Sequence, residues 1–169
     1  MSNPHHPLRL NVGFLISATI GTNRDFVFDY ERMQLGDDLM MSGFGGTARF
    51  SRTPQGLLLQ ADFHGSVMLE CVRCLTEYQQ FLHWEFTDLY AFDRRSLSES
   101  NLLVPETGQI DLAPLLREYA FLEFPINPIC KPDCKGLCPV CGANLNETDC
   151  GHSSSGADSP FAALKELFG

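Results

Sequence analysis

No apolar run in this 169-residue chain approaches the roughly 18 residues that a membrane-spanning helix needs, so no membrane partner is expected. The opening stretch, MSNPHHPLRL, has no basic segment followed by an apolar core, which argues against export and for a cytoplasmic protein. Positive charge is scarce. Twelve Lys and Arg stand against 21 Asp and Glu, for a formal charge of −9. Tight electrostatic binding of nucleic acid calls for contacts to about 6–10 phosphates, which would gather at least half of those bases on one face. The balance suits a soluble factor that meets a basic partner protein. Also missing are a nucleophile motif, a phosphate-binding glycine loop and carboxylates paired at informative spacing. No catalytic residue, organic cofactor or small-molecule substrate is therefore expected.

What the chain does have is a core and sulfur. A hydrophobic content of 44% with 20% charged residues is that of a folded chain. Seven cysteines are an odd number, better explained by metal thiolates in a reducing compartment than by disulfides. Five of them, with a histidine, lie in the stretch CKPDCKGLCPVCGANLNETDCGH from Cys130 to His152. At its centre, Cys138-Pro139-Val140-Cys141-Gly142 has the form of a zinc knuckle: Pro139 fixes φ early in the turn, and Gly142 takes a positive φ at little cost.

The remaining pattern predicts an α+β fold, mainly antiparallel sheet with one packed helix, a Cys-rich loop and a short C-terminal helix. Residues 1–7, with His5 and His6, read as a polar tail. Residues 8–124 form the β-rich core. Leu8–Val12 alternates as a strand, Asp25–Tyr30 reads as a second strand, and the glycines of Gly43–Phe50 allow a bulge. Thr53-Pro54-Gln55-Gly56 is a turn into the strand Leu57–Phe63. Cys71-Val72-Arg73-Cys74 sits at a bend before the aromatic strand Tyr78–Phe92, and residues 93–108 form a loop. A helix over 111–124 starts on Asp111 and Pro114, with Leu112, Leu115, Leu116, Tyr119 and Leu122 toward the sheet. Residues 125–158 are a metal loop, and 159–169 a helix with Phe161, Leu164, Leu167 and Phe168 on one side.

Three ligand sets compete for structural zinc. The local set is Cys134, Cys138, Cys141 and Cys150, with Cys130 or His152 replacing an outer member. It closes the shortest loops, at the least entropic cost. A second set pairs Cys71 and Cys74 with Cys138 and Cys141, like facing knuckles of a zinc ribbon. A third uses all seven cysteines and His152 to fill two sites. Cys71 and Cys74 are otherwise ordinary buried thiols. Thiolates in such surplus leave no open position for a catalytic water, so a zinc hydrolase is the remote reading. His64 and His83 are expected to be strand residues rather than ligands, and Glu147 and Asp149 solvated loop charges. An RNA-binding alternative would gather Arg49, Arg52, Arg73, Arg94 and Arg95 beside exposed aromatics on one sheet face.

Glu70-Cys71-Val72-Arg73-Cys74-Leu75, the helix start Ile110-Asp111-Leu112 with Arg117-Glu118, and Cys134-Lys135-Gly136-Leu137-Cys138-Pro139-Val140-Cys141-Gly142-Ala143-Asn144-Leu145-Asn146 together resemble the YceD family, the large ribosomal RNA subunit accumulation proteins. The resemblance runs from about Leu10 to Leu167. It implies a bacterial-type, non-enzymatic factor needed for 23S rRNA accumulation and large-subunit biogenesis. Two departures stand out. Many members carry a second cysteine where this chain has His152, and a basic Asp-Pro-Arg stretch where it reads Asp158-Ser159-Pro160-Phe161. Histidine still binds zinc, whereas loss of the arginine weakens the case that the tail touches RNA. With the acidic balance, the expected direct partner is a basic ribosomal or assembly protein rather than naked 23S rRNA.

Overall fold

Alternation of apolar and polar residues sets the strands, and the computed structural model describes residues 7–152. In chain order the elements are β1 (Arg9–Asn11), α1 (Gly13–Ile16), β2 (Asn23–Leu35), β3 (Leu39–Arg52), β4 (Gly56–Glu70), β5 (Glu77–Ala91), β6 (Gln109–Asp111) and α2 (Ala113–Leu122). The fold is α+β. A four-stranded sheet runs in the order β2-β3-β4-β5, and a two-stranded antiparallel sheet joins β1 to β6. The C-terminal helix expected over 159–169 and the tail histidines lie outside the described residues.

The described residues divide into two units. One comprises residues 7–68 and 79–126, the other 69–78 and 127–152. Spacing alone grouped the chain as 8–124 and 125–158; the observed division instead places the first C-x-x-C with the later cysteines.

In the first unit, Phe28, Phe44, Phe50, Phe63 and Trp84 all turn to one face of the four-stranded sheet and are buried. Phe63 is their centre. Its ring lies 5.4 Å from Phe28, 5.4 Å from Phe44 and 6.2 Å from Trp84. Between β3 and β4 the register shifts at Ser42/Gly45, the bulge that the glycines permit. Gly46 is obligatory there, because a Cβ would drive into the Asp62 carbonyl and the Phe63 ring. The turn at Thr53–Gly56 closes with Thr53 N–H donating to the Gly56 carbonyl at 2.9 Å.

Helix α2 is shorter than its periodicity suggests. Ile110 and Asp111 belong to β6, and Leu112 N–H is tied to the Leu8 carbonyl at 3.0 Å, so strand pairing takes the first residues. Asp111 still serves the helix end, accepting from Ala113 N–H at 3.0 Å. Leu112, Ala113, Leu115, Leu116 and Ala120 are buried. Leu122, expected to face the sheet, is 76% exposed: it is the last helical residue, two turns past Leu115. The Tyr119 ring stacks on Phe86 at 3.9 Å, and its hydroxyl donates to the buried Asp88 at 3.0 Å. No helix among the described residues is long and apolar enough to cross a membrane.

Candidate metal centres

The second unit forms where the turn between β4 and β5 meets the chain after residue 126. Within that turn Cys71 N–H donates to the Thr76 carbonyl at 3.0 Å, and Leu75 N–H to the Cys71 carbonyl at 2.9 Å. Leu75 sits at φ 58°, a left-handed conformation that a branched residue holds only under constraint. Three bonds then join the turn to the later segment: Val72 N–H to the Pro128 carbonyl at 2.9 Å, Leu137 N–H to the Arg73 carbonyl at 3.1 Å, and the Arg73 guanidinium to the Cys134 carbonyl at 3.1 Å.

These bonds bring Cys71, Cys74, Cys130 and Cys134 into one group, their sulfurs all within 4.8 Å of one another. Cys71 and Cys134 sulfurs are 3.8 Å apart, and Cys74 and Cys130 sulfurs 3.6 Å. A disulfide needs about 2.05 Å. A tetrahedron of zinc–sulfur bonds near 2.3 Å has S···S edges of about 3.8 Å, so the spacing is that of a ligand cage. Cys71, Cys74 and Cys134 are buried, with Tyr78, Ile129 and Leu137 packed against them.

The knuckle makes a second group from Cys138, Cys141, Cys150 and His152, again within 4.8 Å. Cys138 N–H donates to the Ala143 carbonyl and Gly142 N–H to the Cys138 carbonyl, each at 2.8 Å, with Gly142 at φ 73°. Cys138 Sγ lies 3.8 Å from His152 Nδ1. Cys138 is buried, whereas Cys141 and His152 are exposed. The second cage therefore opens to solvent on one side.

Backbone donors and neighbouring sulfurs pull the thiols in opposite directions. At Cys71 burial resists ionisation, but the N–H groups of Cys130, Cys74 and Arg73 outweigh it and bring the pKa down to about 6. The Thr76 hydroxyl and N–H lower Cys74. Burial, then the sulfurs of Cys74, Cys134 and Cys71, push Cys130 up to about 12. Cys138 falls to about 6, because the N–H groups of Cys141 and Val140 point at its sulfur. For Cys150 the His152 N–H favours the thiolate, but the Cys138 sulfur and burial together hold the pKa up. Each group thus has a thiol ready to ionise beside one whose ionisation that charge opposes. A divalent cation removes the conflict, since it stabilises all the thiolates at once.

The set favoured by spacing, Cys134 with Cys138, Cys141 and Cys150, is divided between the two groups. Cys134 goes with Cys71, Cys74 and Cys130, and the other three go with His152. The pairing of Cys71 and Cys74 with Cys138 and Cys141 is not brought together in one cage. Seven cysteines and one histidine supply eight donors, two full tetrahedra, and that count was the signal for this arrangement. Thr76 and Asn146 contact sulfurs of the first cage, and Asn144 contacts both of them; the two asparagines stand in the motif that resembles the family, but nothing in their spacing marks them as neighbours of the sulfurs.

Elsewhere, Asp62, His83 and Glu85 converge on the outer face of the four-stranded sheet, all exposed, with His83 Nε2 3.0 Å from Asp62. The same face holds an open depression of about 680 Å³ lined by Asp25, Arg49, Asp62 and Glu85. Arg49 is clasped by Asp25 through two bonds of 2.6 and 2.9 Å. Arg52 ends β3 with its guanidinium 4.1 Å above the Phe92 ring, Arg73 is in the C-x-x-C turn, and Arg94 and Arg95 are in the loop after β5. The five arginines do not gather on one sheet face.

Several known proteins are similar to parts of this sequence. An uncharacterized protein of Mycobacterium tuberculosis is 32% identical over 127 residues, 72% of this chain and 60% of its own length. The chain thus spans about three-fifths of that relative. A chloroplastic large ribosomal RNA subunit accumulation protein YCED homolog of Arabidopsis thaliana is 38% identical over 63 residues, 37% of this chain and 20% of that protein. Its Zea mays counterpart is 48% identical over 40 residues, 24% of this chain and 14% of that protein. No solved structure matches the chain. The family model described as "Large ribosomal RNA subunit accumulation protein YceD" matches residues 59–168, a span that takes in most of β4, the C-x-x-C turn and both cysteine groups, and the chain belongs to that family.

Proposed function

We propose that this protein is a non-enzymatic factor that promotes accumulation of 23S rRNA and assembly of the large ribosomal subunit, and that two structural zinc ions shape its docking surface. One ion would be held by Cys71, Cys74, Cys130 and Cys134, the other by Cys138, Cys141, Cys150 and His152. The observation that carries the metal reading is the donor set itself: each cage offers four ligands, which fill zinc's tetrahedral preference and leave no place for a catalytic water. The ribosomal reading rests on the family to which the chain belongs. Its direct partner would be a basic ribosomal or assembly protein. The formal charge of −9 supports that choice, as does an outer sheet face where Asp25 already engages Arg49 and Asp62 and Glu85 are exposed.

The test is depletion and rescue in the native cell. Depletion is expected to lower 23S rRNA relative to 16S rRNA, and the wild-type chain to restore it. Affinity purification from the same cells is expected to recover large-subunit proteins in a salt-sensitive manner. Tight, salt-steep binding of the purified protein to bare 23S rRNA would overturn the protein-partner reading. An unchanged 23S to 16S ratio after depletion would overturn the ribosomal one.

A further inference from the structure

Both cages lie in the same unit, and one short segment links them. Residues Asn144 to Asn146 fall between Cys141 and Cys150, two ligands of the Cys3His cage, yet the side chains of Asn144 and Asn146 reach toward the four-cysteine cage. The Asn146 amide donates to Cys134 Sγ at 3.4 Å and to Asn144 Oδ1 at 2.9 Å. Its Oδ1 accepts from Lys135 N–H at 2.9 Å. The Asn144 amide reaches the Thr76 hydroxyl at 3.4 Å, and that hydroxyl is itself 3.4 Å from Cys74 Sγ. Two of the four sulfurs are thus addressed, one directly and one through a threonine.

The backbone of this segment is held by the knuckle. Leu145 N–H donates to the Gly136 carbonyl at 2.9 Å, and Leu137 bridges to Asn144. We propose that Asn146 is a positioning residue for the four-cysteine centre, and that through it a metal in the Cys3His cage tightens metal binding in the four-cysteine cage. The inference rests on the two-zinc reading above. An N–H group aimed at a thiolate stabilises its charge without competing for the metal, as hydrogen bonds to ligands generally do. A metal bridging Cys141 and Cys150 closes the loop that carries Asn144 and Asn146 and removes the entropy of placing their amides. Because coupling is reciprocal, metal in the four-cysteine cage tightens the solvent-facing one by the same factor. The buried cage is then the retained site, and the open cage the one that exchanges.

The test uses the full chain, freed of metal under reducing conditions and titrated with Co²⁺. Four-sulfur and three-sulfur, one-nitrogen sites are followed by their separate visible absorption bands. Wild type is expected to take up two ions. Asn146→Asp keeps the oxygen that accepts from Lys135 N–H but turns an acceptor toward Cys134 Sγ. It is expected to weaken the four-sulfur site about tenfold, within the range that residues hydrogen-bonded to metal ligands usually command. Cys150→Ser, which disables the other cage, is expected to weaken the four-sulfur site as well. Asn144→Asp, which removes the amide that donates to the Thr76 hydroxyl and to Glu147 Oε1 but leaves Asn146 and its bond to Cys134 Sγ, is expected to give a smaller loss and serves if Asn146→Asp does not fold. Four-sulfur affinity within twofold of wild type in the folded Asn146 variant and in Cys150→Ser overturns the coupling. Uptake of fewer than two ions by wild type instead overturns the two-metal reading, and the coupling falls with it.

Discussion

Cys71 and Cys134 are 63 positions apart in the chain, yet their sulfurs lie 3.8 Å from each other. That contact closes the second unit, joining a strand-end turn to a segment with little apolar material. The cluster around it is small: three buried cysteines with Tyr78, Ile129, Cys130 and Leu137 against them. Metal binding on the order of 10–16 kcal/mol exceeds what so few side chains supply.

Two zinc ions per chain are therefore expected by native mass spectrometry. Cys74→Ser is expected to remove one and Cys141→Ser the other. Strong chelation is expected to release both and to abolish amide protection across residues 127–152, with the strands of the first unit still protected. One ion in wild type, or none, would be the contrary result.

The first unit has a different mainstay. Phe63 is fully buried among Phe28, Phe44 and Trp84. Phe63→Ala deletes the centre of that cluster and is expected to cost about 3–5 kcal/mol of stability. Urea unfolding followed by the single tryptophan, Trp84, measures it. A loss below ~1 kcal/mol would mean that the cluster closes over the gap.

How far the sequence revealed these features depends on the range of the interaction. Alternation marks Leu8–Val12, which holds β1, because a sheet with one buried face imposes period two on a strand. Asp25–Tyr30 in β2 and Leu57–Phe63 in β4 read as strands from their apolar content. The glycines of Gly43–Gly46 announced the bulge, and Thr53–Gly56 the turn. β6 left no such trace. It is three residues long, and it exists because Leu10 and Ile110 pair across about a hundred positions. The metal ligands show the same limit. Loop-closure entropy favours near neighbours and so favoured Cys134 with Cys138, whereas Val72 N–H on the Pro128 carbonyl and Leu137 N–H on the Arg73 carbonyl draw Cys134 to Cys71 and Cys74. Those backbone bonds have no residue code.

Helix α2 is fastened to the sheet by a polar contact as well as an apolar one. Tyr119 donates to Asp88, which is only 9% exposed, while its ring lies flat on Phe86. Tyr119→Phe keeps the stack and removes the donor. A hydrogen bond to a charged partner is worth about 1.5–3 kcal/mol, so a loss of that size is expected from thermal or urea unfolding. Tyr119→Phe, Asp88→Asn and the double variant together form a cycle. The loss on Tyr119→Phe is expected to shrink in the Asp88→Asn background; equal losses would show that the bond contributes nothing.

The exposed pair of Asp38 and Arg117 gives a test by pH. Two bonds of 2.9 and 2.6 Å join them, and the Arg117 hydrogen bonds, then its charge, hold the Asp38 pKa below the ordinary 3.8. A carboxylate whose pKa is depressed on folding adds stability that is complete above its unfolded pKa and is lost as pH falls through the folded one. The gap in urea midpoint between wild type and Asp38→Asn is thus expected to be flat from about pH 5 to 8 and to narrow once the pH drops below about 4. Because the pair is exposed, added salt is expected to narrow it too. A gap that widened on acidification would reverse the sign and rule out ionised Asp38 as the stabilising partner of Arg117.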